Sequence, residues 1–182
     1  MIFASEKPLK IDDIRKILPS AVPKEIREAI DSLNKIYNEG SGGIFLAEVA
    51  RGFQFRTRSE FAPFVKQMFD SKPKKISKAA METLSIIAYR QPAIRSDIER
   101  IRGVDCGGVV KVLLDRKLIK ILGKKDVVGK PLLYGTTKEF LEMFGLKDIK
   151  SLPTLKEAGE LFFEGEIEEQ KEFLFSDEEN KT

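Results

Sequence analysis

PKEIREAIDSLNKIYNEGSGGIFLAEVARGFQFRTR, residues 23–58, decides the fold. Ile26, Ala29, Ile30, Leu33 and Tyr37 recur at helical spacing and fall on one face. Pro23 suits a first helical turn and Gly40 follows the end, so the spacing predicts a helix over Pro23–Asn38. Ser41-Gly42-Gly43 breaks the chain. Ile44–Val49 then reads as a strand, Ala50-Arg51-Gly52 as a turn, and Phe53–Arg58 as a returning strand that alternates Phe53, Phe55, Thr57 against Gln54, Arg56, Arg58. Just upstream, Ile11, Ile14, Ile17 and Leu18 mark a shorter helix that Pro19 stops. Helix, turn, helix, hairpin is the winged-helix order.

Downstream, Ser59 can cap a segment in which Phe61, Phe64, Val65, Met68 and Phe69 form a stripe expected to dock on a core. Residues 71–76 then supply a polar, Pro-broken linker. The plan repeats beyond it. Ser77 can cap a helix to Tyr89 with Ala80, Leu84, Ile87 and Ala88 facing inward, and Gln91-Pro92 ends it. Arg95–Arg102 is a short helix with Ile94, Ile98 and Ile101 as its apolar side. Gly103 turns the chain and Asp105 can cap the next helix, whose apolar face includes Val109, Val112 and Leu113. Leu118–Leu122 and Pro131–Tyr134 read as strands around a wing at residues 123–130. Thr136 with Glu139 suggests a capping box for a last helix through Phe144, ended at Gly145. Pro8, Asp13, Ile14 and Ile17 recur as Pro92, Asp97, Ile98 and Ile101 at a constant offset, which fits a duplication. Only Met1–Ser5 precedes Glu6-Lys7-Pro8, so the first domain is expected to begin inside its first helix or to replace that packing with another element.

The expected class is α+β, mainly helical, with two tandem winged-helix domains: residues 1–70, a linker at 71–76, residues 77–153, and an acidic, flexible tail at 154–182. From Lys156 to Thr182 ten acids face three lysines, a net of −7, so the other residues carry 29 − 19 = +10. A basic body fits nucleic acid or an acidic partner; the plainer account is a solvated surface with a solubilising tail. No run approaches the roughly 18–20 apolar residues of a membrane span, and no signal-peptide pattern opens the chain, so a cytoplasmic protein is expected. The single Cys106 excludes an internal disulfide and fits a reducing compartment. With no His and one Cys, the commonest general base and the usual zinc ligands are missing, and no metal or cofactor is expected.

Catalysis finds little footing. Cys106, at a helix start, lacks its usual base, and the glycines match neither a P-loop nor a dinucleotide fingerprint. DNA reading is the serious rival, because such folds place their second helix in the major groove. The second-domain candidate, Gly107–Arg116, is apolar on too many sides, and Val110 and Leu114 beyond the core face argue for a protein interface. The first-domain candidate offers Lys24, Glu25, Arg27, Glu28, Asp31 and Asn34, mixed in sign. Lys124, Lys125, Asp126 and Lys130 are candidate wing contacts. Tyr89, Arg90 and Gln91 combine an aromatic, a guanidinium and an amide at a helix end, which suits a partner; the competing account has Tyr89 closing the core and Arg90 solvated. Phe53 and Phe55 fit either core or a dimer interface.

These motifs resemble the segregation and condensation protein B family. The most specific stretches are Ala80–Pro92, Ile101–Asp105 and the wing from Gly123 to Thr137, with Phe3–Leu9 and Phe53–Thr57 in support. Cys106-Gly107 stands where small polar residues are usual, and Val128 where many relatives have Pro. The resemblance implies a non-enzymatic homodimer held mainly through first-domain surfaces and associated with the nucleoid. It further implies binding of a kleisin, segregation and condensation protein A, by the second domain and, through it, regulation of a structural-maintenance-of-chromosomes (SMC) ATPase. DNA contact would be indirect or weak, with no membrane partner.

Overall fold

The computed structural model describes residues 1–40, 42–68 and 76–154, in an α+β arrangement with two small antiparallel sheets. Two compact units are distinguished, Met1–Ile149 and Lys150–Thr182. The expected linker, except residue 76, Phe69 and the acidic tail beyond Thr154 lie outside the described residues.

The first half of the larger unit holds α1 (Ile11–Ile17), α2 (Pro23–Asn38), the hairpin β1 (Ile44–Val49) and β2 (Gly52–Thr57), and α3 (Ala62–Met68). Pro23 opens α2, where a missing N–H costs nothing, and Glu25 Oε2 accepts from the Val22 N–H at 3.0 Å. The far end of α2 is closed by side chains. Asn38 exchanges two hydrogen bonds with the backbone of Leu46, at 2.8 and 3.1 Å. Arg58 donates to the carbonyls of Tyr37, Gly40 and Gly42, supplying a cation where a helix leaves carbonyls orphaned. Ile2, Ile14, Ile26, Ile30 and Leu46 form the buried core, edged by Leu9, Leu33, Phe53 and Phe55. A single helical turn at Ile2–Ala4 delivers Ile2 to that core. The turn between the strands is Ala50-Arg51, both left-handed at φ 50° and 61°, while Gly52 belongs to β2.

The second half holds α4 (Lys78–Arg90), β3 (Ala93–Ile94), α5 (Arg95–Arg102), α6 (Gly107–Asp115), β4 (Ile119–Lys124), β5 (Leu132–Thr136) and α7 (Lys138–Met143), with sheet order β3-β5-β4. Ser77 caps α4 by accepting from the Ala80 N–H. Leu84, Ile87, Ile98, Leu113 and Leu118 are the largest fully buried side chains here. Leu9 bridges to Phe53 as Ala93 pairs with Tyr134, and Ile14 and Ile98 are the buried isoleucines of α1 and α5.

The halves meet at the tip of the first hairpin. The N–H groups of Ala50 and Arg51 donate to the carbonyls of Leu146 and Lys147, both at 2.9 Å. Arg56 Nη2 donates to the Glu142 carbonyl at 2.8 Å, and Lys147 pairs with Glu48 at 2.8 Å.

Several expectations are corrected. The α3 stripe does not dock: Phe64 is 67% and Met68 79% exposed. Ile17 and Leu18 are exposed, because one turn of α1, through Ile14, meets the core. Thr137, not Thr136, caps α7, accepting from the Phe140 N–H at 3.2 Å. On α6 the inward face is rotated: Val110 is buried and Val112 exposed.

Candidate partner-binding surface

Helix α6 follows α5 across the left-handed Gly103, and in a helix-turn-helix reading its start would decide what it can touch. Arg95, from the first turn of α5, donates Nε to Glu99 Oε1 at 2.6 Å and Nη2 to Asp105. Glu99 Oε1 also accepts from the Cys106 N–H, and Asp105 Oδ2 from the Gly107 N–H, each at 3.1 Å. Two carboxylates therefore sit on the first N–H groups of α6, where a phosphate would have to bind. The hydrogen bond from Arg95, then that from the Cys106 N–H, holds the Glu99 carboxyl below its ordinary pKa. Arg95 crosses Gly107 so closely that a Cβ there would come within 2.8 Å of the guanidinium. Gly107 is thus explained by close approach. Sequence spacing missed this cluster, although the i,i+4 pair Arg95/Glu99 was its one local signal.

Cys106 is fully buried behind the same cluster. Burial first, and then the Glu99 carboxylate, push its thiol up, away from thiolate character. The exposed face of α6 is Gly108, Lys111, Val112 and Asp115, a poor set for reading base edges. Val110, expected outward, is core, and Leu114 is half-buried.

At the end of α4, Tyr89 is half-buried and Arg90 exposed. Gln91 is turned inward: its Oε1 accepts from the Thr136 N–H at 2.8 Å and hydroxyl at 3.1 Å, and Nε2 donates to the Ala88 carbonyl. It ties α4 to β5, and its acceptor is spent on the fold. Gly135 makes room for it, since a Cβ there would lie 2.9 Å from Gln91 Oε1.

The wing projects freely. Lys124, Lys125, Asp126 and Lys130 are exposed, and the loop is shaped by the Lys125 N–H to Pro131 carbonyl bond at 2.8 Å and left-handed Gly129. Val128 at its tip is fully exposed. In the first half, Phe53 and Phe55 edge the core, Phe55 standing edge-on to Tyr37 at 4.8 Å. The most exposed large apolar side chains there are Phe3, Met68, Phe64 and Ile36. Among the described residues no cluster of His, Cys, Asp and Glu could hold a metal ion, and no helix is long and apolar enough to cross a membrane.

The described residues present buried cores, a buried thiol and exposed apolar and basic side chains. A family model described as "Segregation and condensation complex subunit ScpB" matches residues 1–155, and the chain belongs to that family. It is 51% identical over 162 residues to "Segregation and condensation protein B" of Myxococcus xanthus, covering 88% of this chain and 49% of that protein. It is 47% identical over 166 residues to the protein of the same description from Syntrophotalea carbinolica, covering 91% and 84%. The chain thus spans about half the length of the first relative and most of the second. A solved structure described as ScpB from Mycobacterium tuberculosis is 29% identical, covers 80% of this chain and 90% of that one, and superposes with a TM-score of 0.40.

Proposed function

We propose that the chain is a non-catalytic, dimeric adaptor of two winged-helix halves. It binds the kleisin of a bacterial SMC complex and supports chromosome condensation and segregation at the nucleoid. The single observation that favours protein gripping over DNA reading is the pair of carboxylates on the N-terminus of α6. A phosphate brought there would meet Glu99 and Asp105 before any N–H group. Family membership supports the chromosome role. Phe64 and Met68 of α3 and Ile36 of α2 support a dimer surface on the first half, because large apolar side chains left bare favour association. Arg90, exposed and without an ion pair among the described residues, remains a candidate kleisin contact, with Tyr89 beside it.

Light scattering on the purified chain, alone and with the kleisin, tests this reading. The expected masses are twice 20.6 kDa alone and a larger, defined complex with the kleisin. A monomer that forms no complex would refute it. The wing lysines keep a DNA reading in view. Three phosphate contacts would give a log-affinity slope of about −2.7 against log salt. Weak binding with a flat slope dismisses that alternative.

A further inference from the structure

We propose that the tip of the first hairpin and the end of α7 form a salt-sensitive latch, which opens while both cores stay folded. α7 ends in a Schellman turn. The Leu146 N–H donates to the Leu141 carbonyl at 2.8 Å and the Gly145 N–H to the Glu142 carbonyl at 3.4 Å, with Gly145 left-handed at φ 64°. The next carbonyls, Leu146 and Lys147, are thereby turned to the hairpin tip, where the N–H groups of Ala50 and Arg51 donate to them at 2.9 Å. Arg56, on β2, reaches the same turn. Its Nη2 donates to the Glu142 carbonyl at 2.8 Å, and a Cβ on Gly145 would lie 3.2 Å from its Nη1. The first half therefore completes the C-terminal cap of α7, and the hairpin tip and the cap part together.

The rest of the fold makes this joint separable. Among the described elements, the principal packings all lie within one half or the other. Each half has its own buried side chains, around Ile14, Ile26 and Ile30 in the first and Leu84, Ile87 and Leu113 in the second. The apolar content of the joint is small: Val49 and Ala50 at the hairpin tip are buried outside the first core, and Leu146 is half-buried. The remainder is polar. Lys147 and Glu48 pair at 2.8 Å with both side chains open to solvent, and Arg56 lies at the negative end of α7. Raising salt from about 0.1 M to about 1 M shortens the screening length from roughly 10 Å to roughly 3 Å, which weakens both charged contacts. Apolar burial, on which the cores rest, is not screened by salt. Small polar contacts between separate cores are where chains hinge. The latch sets the angle between the exposed Phe64 and Met68 of the first half and the wing of the second, so its state governs how those two surfaces are presented.

The test is single-molecule energy transfer within the full chain. Cys106 is fully buried, so dyes placed on Lys35→Cys of α2 and Lys111→Cys of α6, both exposed positions, label selectively. Labelled chain is diluted into excess unlabelled chain, so that only distances within one chain are read. One distance population is expected at about 0.1 M potassium chloride, and a second should grow toward about 1 M. Arg56→Ala removes one charged hydrogen bond and should raise the second population about tenfold or more at low salt. Glu48→Lys, which sets like charges together, should raise it too, and adding Lys147→Glu to that variant should restore the single population. Helical circular dichroism should stay at the wild-type value throughout. The proposal is overturned by one population in every variant at every salt, by no recovery in the charge-swapped pair, or by a second population that appears only with loss of the helical signal.

Discussion

Replacing Arg56 by Ala should loosen the joint between the halves. Its Nη2 donates to the Glu142 carbonyl at 2.8 Å, in the last turn of α7, where a cation also meets the negative end of the helix. Loss of a partly buried charged hydrogen bond, leaving the carbonyl without its partner, costs about 1.5–3 kcal/mol. The rest of the joint bounds the effect. The two backbone bonds from Ala50 and Arg51 survive the substitution, and the Lys147–Glu48 pair, about half-exposed, adds at most about 1 kcal/mol. A loss of about 2 kcal/mol, or a fall of about 4–8 °C in Tm, is the central expectation. Urea unfolding followed by circular dichroism measures it, with tyrosine fluorescence as the second probe because the chain has no Trp. If the joint couples the halves, the two transitions coincide in the wild type and separate in the variant. Arg56→Lys keeps the charge but not the planar fork, and should recover part of the loss. A change below about 0.5 kcal/mol with coincident transitions, typical of an ordinary surface substitution, would refute the reasoning.

Three other outcomes follow from named contacts. Gly52→Ala would press a Cβ to 2.8 Å from the Pro8 backbone and break the paired Leu9–Phe53 hydrogen bonds, so urea denaturation should show a loss of about 2–4 kcal/mol. Gln91→Ala strips the Thr136 N–H of its acceptor and should lower stability by about 1–3 kcal/mol while leaving kleisin affinity unchanged. The Glu99 carboxyl is held low in the folded chain, so its contribution is present above the unfolded pKa of about 4.3 and is lost as pH falls through the folded value. Acid titration of Glu99→Gln, monitored by circular dichroism, should lack that part of the loss below about pH 4.3.

What was legible in the sequence was whatever a single element decides alone. The bounds of α2, β1 and α5 match their spacing and punctuation, since Pro23, Gly40 and Gly103 act locally. Which side of an element meets a core was less legible. On α6, Val109, Val110, Val112 and Leu113 all suit an inward face, and α4 together with β4 selects Val110 and Leu113. The α3 stripe has a clear period and no core beneath it in the described residues. Gln91 looked like a partner contact because its partner, Thr136, is 45 residues away and only the fold brings them together. The Arg95 cluster was illegible for the same reason: Gly107 appears merely small until a guanidinium is placed across it.

The two hairpins sit in similar frames and differ in their connections. In each half the second strand accepts a short extended partner, Leu9 on Phe53 and Ala93 on Tyr134, so the frame around the hairpin is the same. What differs is the connection. Two left-handed residues, Ala50 and Arg51, make the first turn tight enough to present successive N–H groups to the carbonyls after α7. A non-glycine residue resists that conformation by about 1–2 kcal/mol, which the docking bonds offset. The second connection runs from Lys125 to Pro131, carries exposed Val127 and Val128 at its tip, and has exposed lysines at its base. A turn that spends its donors inside the chain has none for a partner, whereas the longer loop keeps its charge and apolar tip available. The first hairpin therefore serves as the joint, and any wing contact to a partner falls to the second.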